Sequence, residues 1–262
     1  MLKKTAIYFL SISMLLCSCA PEKKKDVLFV AAAASLTDAI KEMAAAFEKK
    51  DKNCQVKLSL AATGKLRQQI EKGAPVDVFF SADIFFGGAK DYSNIINPKQ
   101  ARPACLNSLV LAVKKDLSLP DKKLDVICEP CIKRLALGSP EYVPAGRYAK
   151  ELLLEKDLWK KTNDKMIFAT NVRQALSWLE AAEVDAAFLY RTDALKSGKV
   201  KILDEFVVVN GKKIVYPVGI THKGESNKFS AAFVKFMMSP EGKKILNKYG
   251  FVTDDKKLAL TK

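Results

Sequence analysis

Apolar and polar positions alternate along this chain in two distinct rhythms. The run VLFV, from residue 27, reads as a buried strand, and Ile40, Met43, Ala44 and Phe47 then recur at i, i+3, i+4 and i+7, the spacing of an amphipathic helix. VKLSL predicts a second strand, GKLRQQIEKG a helix that ends at Gly73, and VDVFF a third strand between Ala74-Pro75 and Ser81-Ala82-Asp83. SLVLAV, residues 108–113, is a further continuous apolar run. A second series follows: strand RLALG, helix RYAKELLLEK, strand KMIFA, helix VRQALSWLEAAE and strand VDAAFLY. Strand-like KIVYPVGI and the helical segments FSAAFVKFMM and SPEGKKILNKYG close the chain.

Strands that alternate with helices predict an α/β protein with mostly parallel sheets covered on both faces. Two such series separated by a long apolar strand predict two lobes, with crossings near residues 105–110 and 212–220 if the last block returns to the first lobe. No repeat of fixed period is present, which excludes solenoids and propellers. Two lobes joined by a double crossing form a cleft that can close on a solute by hinge motion.

The first twenty residues, MLKKTAIYFLSISMLLCSCA, begin with Lys3 and Lys4, continue in an apolar run too short to span a bilayer, and end in small residues. This is the pattern of an export signal. Leu16-Cys17-Ser18-Cys19 has the form of a lipobox that would be cut after Ser18 and acylated at Cys19, with the polar APEKKKD as tether. The boundaries expected are a signal peptide at 1–18, a tether at 19–26, the first lobe at 27–107, the second lobe at 108–214 and a return segment to the first lobe at 215–262.

The chain has 262 residues and a formal net charge of +15, of which loss of Lys3 and Lys4 with the signal leaves about +13. Nucleic acid, anionic lipid or an anionic solute would suit this balance. The lysines are scattered over helix faces and turns without interleaved aromatics, however, and this argues for a solvated basic surface rather than a nucleic-acid site. Four cysteines lie beyond Cys19, namely Cys54, Cys105, Cys128 and Cys131, and the sequence leaves their pairing open. Cys128-Glu129-Pro130-Cys131 has redox-motif spacing but lacks the long helix such a motif needs at its first cysteine, so a structural or spare pair is expected. The single histidine, His222, stands in the polar loop THKGESN and argues against a zinc site.

In open α/β sheets, ligands bind beyond the carboxyl ends of the strands, and four strand-to-helix junctions here carry suitable groups. Ser35 stands where strand becomes helix, with Asp38 three residues on as a partial capping box. Thr63 precedes the next helix, and the upstream glycine of a phosphate loop is missing before Gly64-Lys65. In the tight loop Gly138 to Arg147, Pro144 suits an early helical position and leaves the amides of Ala145 and Gly146 free to face an anion. Asn171 in cap position leaves the Val172 amide unpaired, and Tyr190 ends a strand. Each of these residues has a structural reading as cap, turn or core. Taken together they supply neutral donors from both lobes, as a fully ionised tetrahedral oxyanion requires.

These residues carry a resemblance. AAASLTDA, ATGKLRQQIEKGAPVDVFFSAD, PEYVPAGRYAKE, NVRQAL, LYRTDA, YPVGI and SPEGKKILNKYGF, spread from about Val27 to Phe251, resemble the periplasmic-type molybdate-binding proteins, the solute receptors of molybdate ABC importers. The resemblance implies a two-lobe type II binding-protein fold, no enzymatic activity, no cofactor and no bound metal cation. It also implies capture of molybdate or tungstate by the hydroxyls and amides of Ser35 and Thr63, the amides of Ala145 and Val172, and the phenol of Tyr190. Its further implications are an extracytoplasmic monomer, anchored through Cys19, that delivers the oxyanion to a membrane permease. Rival readings are a receptor for sulfate, phosphate or a small carboxylate on the same fold, and a hydrolase with Ser35 as nucleophile. Three features depart from the family pattern: threonine at 63, Phe86-Gly87-Gly88 where related chains continue a helix, and the set Cys105, Cys128 and Cys131.

Overall fold

A computed structural model describes residues 25–84, 91–119 and 123–259. The signal, Cys19, most of the tether and Phe86-Gly87-Gly88 lie outside the described residues.

The first sheet starts with β1 (Asp26–Ala33), followed by a 3-10 turn (Ala34–Leu36), α1 (Thr37–Lys50), β2 (Cys54–Ala61), α2 (Thr63–Glu71) and β3 (Val78–Phe80). β1 lies between β2 and β3 and is parallel to both, in register from Asp26↔Cys54 to Ala33↔Ala61 on one side and from Val30↔Val78 to Ala32↔Phe80 on the other. α1 buries Ile40, Met43, Ala44 and Phe47, the predicted stripe. Gly73 follows α2 at φ +89°, a conformation open to glycine at little cost.

β4 (Ile96–Asn107) and β5 (Leu109–Lys114) are consecutive strands in different sheets, so the chain changes lobe at Ser108. The second sheet then gains β6 (Leu135–Gly138), α3 (Pro144–Glu155), the short α4 (Trp159–Thr162), β7 (Met166–Ala169), α5 (Val172–Glu180), β8 (Ala186–Tyr190), the single-turn α6 (Arg191–Ala194) and β9 (Val200–Phe206). Its strand order is β7-β6-β8-β5-β9. β10 (Val208–Val209) and β11 (Lys212–Thr221) rejoin the first sheet through a tight hairpin at Asn210 (φ 48°) and Gly211 (φ 71°), and α7 (Ser230–Met237), α8 (Pro240–Lys248) and α9 (Asp255–Ala259) follow. α7 packs back on α1 through an edge-on contact of Phe47 and Phe233 with centroids 5.1 Å apart.

The two-lobe α/β arrangement is the one expected, with two differences of detail. Among the described residues parallel pairing is confined to β2-β1-β3 and β7-β6-β8, whereas the crossover strands β4, β5, β9 and β11 all pair antiparallel. The return crossing falls at Val207, ahead of the expected 212–220 and of the 214/215 boundary, because β11 pairs with first-sheet strands along its whole length. β4 is legible in the sequence only at its inner end. Its outer half carries Pro98 and Pro103 and is largely exposed, which an edge strand paired on one side tolerates.

Candidate functional site

All six parallel strands of the two sheets end at the cleft. β1, β2 and β3 lead directly into Ala34-Ser35, Ala62-Thr63 and Ser81-Ala82-Asp83, while β6, β7 and β8 lead into the loop before Ala145, into Asn171-Val172 and into Tyr190. Ser35, Thr63, Ala145, Val172 and Tyr190 are all buried, none more than 4% exposed.

Three of the five are joined through hydrogen bonds and close ring contacts. Ser35 Oγ and the Tyr216 hydroxyl are 2.9 Å apart, and Asn107 Nδ2 donates to that same phenol at 3.3 Å and to Thr192 Oγ1 at 3.0 Å. The Tyr216 and Tyr190 rings meet edge-on with centroids 5.4 Å apart, and the Tyr190 hydroxyl donates to the Ala82 carbonyl at 3.5 Å, a long and easily redirected bond. The Ala82 amide in turn donates to Thr63 Oγ1 at 3.0 Å. Burial pushes the phenols of Tyr190 and Tyr216 well above the ordinary tyrosine range, so both keep their protons.

The two amide positions belong to helix starts. Pro144 and Ala145 open α3, and the amides of Gly146 and Arg147 both turn back to the Val143 carbonyl, at 3.0 and 3.1 Å. Ala145, second in the helix, has no intrahelical carbonyl to bond. Gly146 permits this packing, since a Cβ there would meet the Gly138 carbonyl oxygen at 1.8 Å. At α5, the Asn171 side chain accepts from the amides of Arg173 and Gln174 at 2.9 and 3.1 Å, leaving that of Val172 at the helix tip. This is the cap the sequence predicts.

The other two caps are not found. Ser35 sits inside the 3-10 turn, and neither that turn nor α1 has a side-chain cap. The Thr37 hydroxyl donates to the Ala34 carbonyl at 2.6 Å, while Asp38 forms no capping box and pairs with Arg173 and Lys196 of the second lobe. The reason is tertiary: Tyr216, 181 residues away, takes the Ser35 hydroxyl. Thr63 is likewise the first residue of α2, with Ala62 at the cap position, and its hydroxyl oxygen accepts from the Ala82 amide instead of capping the helix.

Around this hydroxyl chain the lobes touch. The Gly64 amide donates to the Tyr142 carbonyl at 2.9 Å, and Arg147 donates to both carboxylate oxygens of Asp83, at 2.7 and 2.8 Å. Burial opposes the charge of Arg147, but the hydrogen bonds and charge of Asp83 outweigh it and hold the guanidinium protonated. Tyr216, Asn107, Asp83 and Arg147 were not singled out by sequence reasoning. Tyr216, Asp83 and Arg147 have only their places in the stretches YPVGI, FFSAD and VPAGR as a signal, and Asn107 has none.

The remaining candidates stand apart. His222 follows the last residue of β11, six residues beyond Tyr216 and about 20 Å away in the strand direction, and its ring bonds the Ser93 carbonyl at 2.9 Å. Ser35 therefore faces a phenol rather than a base. Cys54 and Cys105 are buried free thiols, and Cys128 and Cys131 are exposed free thiols, with Cys128 ending a 3-10 turn (Leu124–Cys128) instead of opening a helix.

Comparison with known proteins matches residues 28–252 to the family described as bacterial extracellular solute-binding protein. YvgL of Bacillus subtilis, provisionally named an ABC transporter substrate-binding lipoprotein, is 35% identical over 97% of this chain and all of its own length. The molybdate-binding protein ModA of Escherichia coli is 37% identical over 85% of this chain and 87% of its own. Among solved structures, the periplasmic molybdate-binding protein of Azotobacter vinelandii superposes with a TM-score of 0.75 at 23% identity, over 87% of this chain and 99% of that one, a likeness of fold. The six strand ends meeting at one interlobe cleft are thus found in a chain that belongs to the bacterial extracellular solute-binding protein family.

Proposed function

We propose that this chain captures molybdate or tungstate in its interlobe cleft and delivers it to an ABC permease, making and breaking no covalent bond. The observation that carries this reading is the convergence of neutral donors from both lobes. Asn107 donates to Tyr216, and Tyr216 donating to Ser35 leaves the Ser35 proton to turn into the cleft. Thr63, which accepts from Ala82, keeps its own proton for the same use, and the weakly engaged Tyr190 hydroxyl can follow. The amides of Ala145 and Val172, with those of Ser35 and Thr63, complete a set that offers hydrogen bonds without a cation.

Such a set suits an oxyanion that carries only acceptors, whereas hydrogen phosphate brings a proton that wants an acceptor of its own. Hydrogen bonds to a charged group are worth roughly 1.5–3 kcal/mol each, and micromolar binding needs about 8 kcal/mol. One cap could not hold the ion, but six or seven converging donors can. The names of the relatives support the same ligand. In this reading the chain is a monomer acylated at Cys19 on the outer face of the membrane, in keeping with the name of the Bacillus subtilis relative.

Thermal unfolding of residues 20–262 with molybdate, tungstate, sulfate and phosphate tests the proposal. Molybdate or tungstate at about 100 times Kd should add about 2.7 kcal/mol, several degrees in a chain of this size. No shift with either anion, or a larger one with sulfate or phosphate, overturns it.

A further inference from the structure

Two arginines stand immediately behind the helix-start amides of the second lobe: Arg147 two residues after Ala145, and Arg173 one residue after Val172. Each reaches across to a carboxylate of the first lobe that lies equally close to that lobe's donors. Arg147 makes its double hydrogen bond to Asp83, next to the Ala82 amide that holds Thr63. Arg173 donates to Asp38, three residues after Ser35, at 2.7 Å, and Lys196 also pairs with Asp38. A carboxylate of the arginine's own lobe supports each: Glu151 is 3.6 Å from Arg147 Nε, and Asp193 is 2.7 Å from Arg173 Nε.

Both guanidiniums are thus occupied by carboxylates and leave the anion to neutral donors. The own-lobe partners move with their arginines when the lobes separate, but Asp83 and Asp38 do not. Ser35, Thr63, Ala145 and Val172 thus each stand within three residues, or one hydrogen bond and one residue, of half of an ion pair that joins the lobes.

We propose that Arg147 and Arg173 are positioning residues that latch the closed lobes, their ion pairs with Asp83 and Asp38 setting how long the oxyanion stays bound. The proposal deepens the oxyanion reading and rests on it for its ligand. The Asp83–Arg147 pair is buried, with Asp83 3% and Arg147 20% exposed, so removal of one partner leaves an uncompensated charge in the closed form and a solvated one in the open form. The Asp38–Arg173 pair is partly exposed and is weakened by salt. Neither pair is needed to build either sheet.

Stopped-flow binding of molybdate, at low and high ionic strength, to the wild-type chain and to Asp83→Asn, Asp38→Asn and Asp83→Asn/Arg147→Gln separates this role from a general structural one. Each single variant should raise the dissociation rate constant about tenfold or more and change the association rate constant by less than about threefold, with the Tm of the ligand-free chain unaltered at high ionic strength, where the wild type is open as well. Wild-type dissociation should quicken with salt, and Arg147→Gln should add little to Asp83→Asn. Unchanged dissociation in both single variants overturns the latch.

Small-angle scattering of the ligand-free chain decides the case without a ligand. The radius of gyration of the wild type should rise with ionic strength, and that of Asp38→Asn/Asp83→Asn should stay at the higher value throughout. Coincident curves overturn the latch. A wild type that binds neither molybdate nor tungstate but shows the scattering difference overturns the oxyanion reading alone.

Discussion

At the scale of single residues, the tertiary partner decides what a polar side chain does. Ser35 precedes a helix, and the best local use of its hydroxyl would be a cap worth about 1 kcal/mol; the bond to Tyr216 replaces that use. Ser35→Ala should accordingly cost about 1 kcal/mol of stability, as one lost hydrogen bond, while weakening molybdate binding at least about tenfold, the equivalent of 1.4 kcal/mol. Calorimetric titration beside thermal unfolding reads both, and unchanged affinity would return Ser35 to a structural role. Asp193 is fully buried, and Arg173 Nε, though 2.7 Å away, is not aligned for a hydrogen bond with it. Burial pushes its carboxyl up to about 6, against the pull of Arg173. A folded pKa above the unfolded one means that the native state holds the proton more tightly, so stability falls as pH rises from about 4 to about 6. Comparison of wild type with Asp193→Asn by chemical unfolding across that range should show the wild type losing up to about 3 kcal/mol relative to the variant. A constant difference would mean that Asp193 stays ionised.

At the scale of elements, helix starts rather than whole helices face the cleft. α5 was legible there, because Asn171 has its cap geometry written in the local sequence and needs no distant partner. α2 was legible as a helix but not in its closest contact. Gly64, its second residue, approaches the second lobe so nearly that a Cβ would stand 2.7 Å from the Tyr142 carbonyl oxygen. Gly64→Ala should leave the ligand-free chain as stable as the wild type or slightly more so, since alanine is favoured over glycine in a helix by up to about 1 kcal/mol. It should nevertheless weaken molybdate binding, because the lobes can no longer close fully. Equal affinity in the two chains would show that closure does not bring these backbones together.

At the scale of the whole molecule, the two lobes differ in how the chain builds them. The second sheet is made from one continuous segment between Ser108 and Val207, whereas the first needs β11, which pairs with both β3 and β4 and arrives more than a hundred residues after them. Residues 108–207 expressed alone should therefore unfold cooperatively by circular dichroism. Residues 25–107 should not, because β4 would lose its partner strand and β3 would keep β1 on one side only. A cooperative transition in the shorter piece would overturn this account.

The sequence by itself determined the order of the main strands and helices apart from β4 and β9, the alternation that makes two α/β lobes, the Asn171 cap, the proline-led start of α3 and the residue types at the strand ends. Those features depend on neighbours within a few positions, and periodicity records them. The tertiary structure alone decided the partner of Ser35, the placement of Thr63 inside its helix, the joining of β4 to β11 and the pairing of Arg147 and Arg173 with the opposite lobe. The Thr63–Ala82 bond spans 19 positions and the partners of Ser35, Arg147 and Arg173 lie between 64 and 181 positions away, and no local pattern of hydrophobicity or capping specifies a contact at that range.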